Sequence, residues 1–262
     1  MSSYPILATP VSHLFDSESD AEKISSYSDV LECRDRTFSY SAVNQKLFHC
    51  ELQPIHELSE TDFDYIKRIK ENKKDLELVT FHIASSCKSP KLIDNIFVIG
   101  HENNYSRDQM LQNAKKNFKI IKDILGNDIK IAVENNNYYP TDAYKYITDP
   151  SFINQVMLDS DLSLLFDIAH AKVTAFNQKI KYEDYKQELN LDRAVQIHIC
   201  EFGIDDDKGL AFDAHNAPGE TEFQEVKYLL ERYKDIKYLT VEFYRDVNLL
   251  ISCLSKFKSL IN

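Results

Sequence analysis

The sequence predicts a single (β/α)8 TIM barrel spanning residues 1–262, and three observations predict it. Eight short apolar runs rich in β-branched residues recur along the chain, and the polar stretches between them carry apolar residues at helical spacing. The length of 262 residues is also close to the roughly 250 that such a barrel uses.

The predicted strands are residues 5–9 (PILAT), 29–33 (DVLEC), 45–51 (QKLFHCE) and 76–83 (LELVTFHI), followed by 129–134 (IKIAVE), 162–168 (LSLLFDI), 195–200 (VQIHIC) and 238–243 (YLTVEF). LSLLFDI and AVQIHIC are apolar almost without a break, as parallel strands covered on both faces require. Between strands, DFDYIKRIKENKK and QMLQNAKKNFKIIKDILG carry apolar residues three and four apart, and Gly126 ends the second as a C-cap. Residues 87–109 are irregular and are expected to form an active-site loop. No repeat, low-complexity tract or linker divides the chain.

Composition narrows the function. With 43% hydrophobic and 28% charged residues, the chain buries a full core without disulfide staples. Five glycines are too few for Gly-rich phosphate loops. The cysteines at 33, 50, 87, 200 and 253 are scattered with no CxxC pair, which points to reduced, packed thiols rather than a disulfide framework or a zinc-thiolate cage. Thirty-one basic against 42 acidic residues leave a net charge of −11, which repels a polyphosphate backbone and argues against a nucleic-acid partner. No apolar run approaches the roughly 20 residues of a membrane span, and MSSYPILATP lacks the basic and hydrophobic regions of a signal peptide. A soluble, cytoplasmic protein without a membrane partner is expected, with peptides and small molecules left as substrates.

A TIM barrel keeps its chemistry at the C-terminal ends of its strands. There the sequence places His49, His82, Glu134, Asp167 with His170, His198, and Glu242, while the loop after the seventh strand adds Asp213 and His215. Five of the eight histidines, two aspartates and two glutamates thus gather at one mouth. Singly, each has an ordinary reading: a histidine satisfied in the core, a glutamate in an ion pair, an Asp-x-x-His turn. Together they would be prohibitive to bury without cations. Nitrogen and oxygen donors suit iron, manganese or zinc, and nine ligands imply two or three ions. His13, His56 and His101 are read as non-ligands, with the roles of His13 and His101 left open. The run from Asn135 to Tyr139 is equally a pocket wall or an exposed loop.

The order His, His, Glu, Asp-x-x-His, His, Asp-x-His, Glu resembles the xylose-isomerase-like barrels, including the type IV apurinic endonucleases. LLFDIAHAKVTAFN, YKQELNLDRAVQIHICEFG, LAFDAHNAPGETEF and LTVEFYRD are more similar to one branch, the multinuclear non-heme iron-dependent oxidative enzymes. LFHCELQP, ELVTFHIASS and SDVLECRD are similar to that family's earlier strands, so the resemblance covers nearly the whole chain. It departs at His170, where many members have Asn, and at Glu242-Phe-Tyr, where Glu-Arg-Asp is usual. Within the family the methanobactin-biosynthesis members are most similar. That likeness implies oxidation of cysteines in a ribosomally made precursor peptide to an oxazolone with an adjacent thioamide. It implies dioxygen as co-substrate, a mixed Fe(II)/Fe(III) cluster that takes the cysteine as thiolate, and a small MbnC-like partner protein forming a heterodimer. Glu134, Asp167 and Glu242 are then expected to bridge or anchor ions, the histidines to complete the shells, and Asp213 to orient or bind. Asp246, four residues past Glu242, is taken as a proton-transfer group, against the reading of an exposed pair with Arg245 at a helix start. The competing classes are a single-ion sugar isomerase or epimerase, an endonuclease-like hydrolase, and a non-catalytic metal-binding scaffold.

Overall fold

The structure, a computed structural model, describes residues 5–100 and 104–261. The first half runs β1 (Ile6–Pro10), α1 (Glu18–Tyr27), β2 (Val30–Arg34), β3 (Gln45–Cys50), α2 (Glu60–Asn72), β4 (Leu78–Phe81), β5 (Lys91–Ile93), β6 (Ile96–Val98), α3 (Arg107–Leu125) and β7 (Lys130–Glu134). The second runs α4 (Pro150–Ser160), β8 (Ser163–Asp167), α5 (Ile168–Gln178), α6 (Tyr182–Glu188), β9 (Ala194–Ile199), β10 (Glu201–Asp205), β11 (Leu210–Asn216), α7 (Glu220–Arg232), β12 (Tyr238–Val241) and α8 (Val247–Ile261).

Strands β1, β2, β3, β4, β7, β8, β9 and β12 pair in parallel and close into a barrel, with Ile6 of β1 opposite Tyr238 of β12. They are the eight strands the sequence predicts, with ends trimmed or shifted by one or two residues. The helices start where side chains satisfy free backbone N–H groups: Ser59 with Asp62 for α2, and Ser106 with Gln109 for α3. Gly126 closes α3 at φ 81°, a left-handed backbone angle that glycine adopts without strain.

The βα repeat departs from uniformity in three places. After β2 there is only a 3-10 turn, Asp35–Thr37, where a crossover helix would stand. The irregular segment after β4 contains a small antiparallel hairpin, β5–β6. The stretch read as a loop after the seventh predicted strand is a second hairpin, β10–β11. All five cysteines are buried and free, and no helix among the described residues is long and apolar enough to cross a membrane.

Most of the core lies between barrel and helices, where Phe48, Phe81, Phe118, Phe152, Phe166 and Phe257 are fully buried. Inside the barrel a separate apolar layer, including Ala8, Val30, Leu47, Leu78, Ala132 and Tyr238, plugs the base. Because side chains alternate along a strand, polar residues two and four positions further on line the upper interior. Phe118 of α3 meets Phe81 of β4 edge to face at 5.8 Å and fixes that helix on the barrel. Phe118→Ala should therefore cost about 3–5 kcal/mol of unfolding free energy, read as a lowered urea midpoint; an unchanged midpoint would refute this packing role.

Candidate metal centre

Above the apolar base sits a polar layer that orients what lies over it. Glu32, in the middle of β2, accepts hydrogen bonds through Oε2 from Gln196 Nε2 at 2.6 Å and Thr240 Oγ1 at 3.3 Å, and pairs with His198 Nε2 at 2.8 Å. Thr80 Oγ1 lies 2.6 Å from His49 Nδ1. These contacts leave the opposite nitrogen of each ring, His198 Nδ1 and His49 Nε2, facing Glu134. A hydrogen-bonded second nitrogen fixes the ring in this way in metal-binding histidines generally.

All nine residues expected as ligands meet in one network centred on Glu134. His49 Nε2 and His82 Nδ1 lie 3.5 and 3.7 Å from Glu134 Oε2. His170 Nδ1 and His198 Nδ1 lie 3.6 and 3.5 Å from Oε1. His198 Nδ1 is also 3.1 Å from Glu242 Oε1 and 4.0 Å from Asp167 Oδ2. His170 Nε2 reaches Asp213 Oδ2 at 3.4 Å, and His215 Nε2 joins Asp213 Oδ2 at 3.0 Å to Glu242 Oε2 at 3.4 Å.

Local structure sets several of these positions. Asp167 caps α5, its Oδ1 accepting the His170 N–H at 2.7 Å, which leaves Oδ2 turned inward. Asn135 pins the same turn, donating to the Asp167 carbonyl and accepting its N–H, both at 2.9 Å. Asp213 and His215 ride on β11 where the pairing with β10 slips between Glu201 and Gly203, and His215 stands at φ 45°. A bulge of this kind re-aims side chains next to a site.

The donor set fits bound cations. Glu134 Oε2, Asp167 Oδ2 and His198 Nδ1 are buried with no hydrogen-bond partner, an arrangement that is costly unless a cation satisfies them. One donor atom each from Glu134, Asp167 and His198 falls within 4.8 Å of the others, and the same holds for His49, His82 and Glu134 and for Glu32, His198 and Glu242. Metal bonds to such donors are about 2.0–2.2 Å long, a length the first two groups suit, whereas Arg34 already pairs with both carboxylates of the third.

The electrostatics are those of a carboxylate nest. Burial pushes the Glu134 carboxyl up, but His170, His82 and His198 around it hold it down at about 2. Burial opposes a charge on His170, yet Asp167, Glu134 and Asp213 outweigh it and lift the imidazole well above its ordinary value. Burial likewise opposes a charge on His198, which Glu32 and Glu134 lift to about 9. Burial and the neighbouring Glu134 and Asp213 raise Asp167 to about 6. His49 is driven well below its ordinary value by burial and by His82 and Arg34.

Other expected roles are placed elsewhere. The proton-transfer role expected of Asp246 is corrected: the residue is exposed, and its carboxylate caps α8 by accepting the Leu249 N–H at 2.7 Å. Its position is close in sequence to Glu242, but it stands at the surface immediately before α8. Arg245 does not pair with it and donates to the Ala214 carbonyl at 2.8 Å. His56 holds the Ser85 carbonyl at 2.6 Å, His13 is exposed at the cavity rim, and His101 lies outside the described residues. Asn135 and Asn136 are buried. Glu32 and Arg34 were missed as site residues; the available signal was a charge in the middle of an apolar strand. A cavity of about 770 Å3 opens beside the centre, which it meets at His215, and is lined by Arg34 and Tyr244 from the barrel side and by Tyr40 and Glu51 from the loops.

With this geometry in hand, similarity to known proteins can be placed on it. A family model described as RiPP precursor modification enzyme MbnB/TglH/ChrH matches residues 53–250, a span that holds every expected ligand except His49. A UPF0276 protein of Acaryochloris marina is 29% identical over 98 residues, 37% of this chain and 34% of that protein. One from Neisseria meningitidis serogroup C is 26% identical over 111 residues, 42% of this chain and 39% of that protein. The chain thus aligns with well under half the length of these curated relatives. Among solved structures, the 3-keto-D-glucoside 4-epimerase YcjR of E. coli superposes with a TM-score of 0.64 at 11% identity, over 97% of this chain and 99% of that one. A D-tagatose 3-epimerase-like protein gives 0.62 at 15% identity, over 97% and 96%. A xylose isomerase-like TIM barrel protein from Mycobacterium smegmatis in complex with magnesium gives 0.57 at 12%, over 99% and 97%. At these identities the likeness shows the (β/α)8 barrel fold alone.

Two outcomes are expected. Thr80→Val, which removes the hydroxyl that orients His49, should weaken metal affinity about 10–100-fold in an equilibrium titration while the fold is retained; unchanged affinity would refute the orienting role. Metal binding at pH 7 should release protons, because His170 and His198, held protonated by carboxylates, must lose protons to act as ligands. Affinity should therefore rise with pH, and calorimetry in buffers of different ionisation enthalpy reads the release directly; no buffer dependence would contradict it.

Proposed function

The chain belongs to the MbnB/TglH/ChrH family of RiPP precursor modification enzymes, and on that premise we propose that it oxidises cysteine residues of a ribosomally synthesised precursor peptide with dioxygen. The resident centre in this reading is iron, two or three ions in mixed Fe(II)/Fe(III) state. The product class is the oxazolone with adjacent thioamide of methanobactin type.

The observation that carries this reading is the convergence of nine donor side chains in one network around Glu134, beside a cavity that His215 lines. A sugar epimerase would employ one divalent ion and about four ligands, leaving His49, His82 and the Asp213–His215 pair without work. An endonuclease-like hydrolase would need a basic face, which a net charge of −11 opposes.

Bound iron supplies a redox couple for passing electrons to dioxygen and a Lewis acid that lowers a substrate thiol's pKa. The protein's residues do the rest by position. Glu134 would hold ions through both of its oxygens, each of which faces two histidines. Asp167 and Glu242 anchor either flank, and His49, His82, His170, His198, Asp213 and His215 complete the shells. Thr80, Glu32 and Asn135 fix the first layer before any substrate arrives, so little reorganisation is left for the reaction itself. The 770 Å3 cavity accommodates a cysteine with its flanking residues, and holding that cysteine against the centre converts an encounter into an effectively intramolecular reaction. The acidic chain also suits a basic leader segment, and a small MbnC-like protein, bound as a heterodimer, is proposed to help deliver the peptide.

Elemental analysis and Mössbauer spectroscopy of anaerobically purified protein should find two or three irons per chain, partly ferric. Adding dioxygen and the Cys-containing precursor should change the peptide's mass, and Glu134→Ala should lose metal and turnover together. Stoichiometric zinc, a single manganese, or full activity in Glu134→Ala would overturn the reading.

A further inference from the structure

Asp213 and His215 reach the centre from β11, in the second hairpin. The backbone of that strand is held from two sides. Asn177 of α5 accepts the Ala211 N–H at 2.8 Å and donates to the Ala211 carbonyl at 3.0 Å, and Arg245 donates to the Ala214 carbonyl at 2.8 Å. Contacts of this kind place the chain, but they leave the Asp213 side chain free to turn about its own bonds.

A cysteine sets that turn. Cys200 stands between β9 and β10, is buried, and brings its Sγ 3.4 Å from Asp213 Oδ1. A thiol is protonated at neutral pH and has one hydrogen to donate. The same oxygen accepts the His215 N–H, also at 3.4 Å, which is long for an amide donor. Oδ2 is left to face His170 Nε2 at 3.4 Å and His215 Nε2 at 3.0 Å. Asp167 divides its oxygens in the same way, but there one short amide bond of 2.7 Å to Oδ1 suffices. At Asp213 the amide contact is stretched, and the thiol is the second donor. Cys200 belongs to none of the ligand-spaced groupings among the described residues. Of the five buried cysteines it is the one whose sulfur hydrogen-bonds to an expected ligand.

We infer that Cys200 is a positioning residue for Asp213: its thiol donates to Oδ1 and so turns Oδ2 toward His170 and His215. The inference rests on the metal-centre reading above and goes beyond it in giving this sulfur a role other than filling space.

The test is an anaerobic equilibrium titration with Co(II) of the wild type, Cys200→Ala, Cys200→Ser, Asp213→Ala and the Cys200→Ala/Asp213→Ala double variant. Cys200→Ala should bind about 10–100-fold more weakly, the usual cost of removing a group that orients a metal ligand. Cys200→Ser, whose hydroxyl can donate in place of the thiol, should recover most of that loss. In the Asp213→Ala background, Cys200→Ala should weaken binding no further, because the two side chains act through one contact. Equal losses in both backgrounds, an unchanged Cys200→Ala, or no recovery in Cys200→Ser would overturn the inference while leaving a metal centre in place. A wild type that binds no Co(II) would overturn the metal-centre reading itself. Should Cys200→Ala fail to fold, infrared spectroscopy decides: one S–H stretching band of the wild type should move to higher frequency in Asp213→Ala, and if none moves the contact is refuted.

Discussion

Five carboxylates gathered inside one barrel against a single guanidinium are the constraint on which the rest of this structure depends. Buried charge of one sign raises the free energy of the folded state unless cations or protons compensate it. In the chain by itself the compensation is protonic: His170 and His198 are pushed toward the charged form and Asp167 toward the neutral one. Bound cations would replace those protons, so metal affinity, pH and stability of this fold are coupled through the same few atoms.

The barrel makes that concentration of charge possible by separating it from the apolar core. Parallel strands send alternate side chains outward into the layer of phenylalanines and inward to the barrel axis. Inward positions then change character with height: alanine, valine and leucine at the base, Glu32, Thr80, Gln196 and Thr240 above them, and the ligands on top. The middle layer orients the upper one and keeps it off the apolar base. The two hairpins and the missing helix after β2 fall at the strand C-termini, where departures from regularity shape the mouth without disturbing the barrel.

Sugar epimerases with this barrel and the family to which the chain belongs share an architecture in which function is decided by what stands at the strand ends. At those strand ends His49, His82 and His215 enlarge the set of donor side chains around Glu134 and Glu242. Arg34 and Tyr244 give this cavity a cationic and aromatic wall on one side.

The eight strands and their order were legible because hydrophobic burial writes a periodic pattern directly into the chain. The cluster of nine donor side chains was legible because ionisable residues ending apolar strands break that pattern at a fixed place. Gly126 and the caps at Ser59 and Ser106 were local enough to follow from neighbouring residues. What only the tertiary structure decided was everything that depends on closure. Glu32 sits mid-strand, and its partners Gln196, His198 and Thr240 are more than 160 residues away. Arg34 meets Glu242 across 208 residues, because β2 and β12 both flank β1 in the closed barrel. Asp246 looked close to the site in sequence, yet it stands at the surface immediately before α8 and caps that helix. A pattern along the chain specifies which face a residue occupies; only the ring of strands specifies which residues share it.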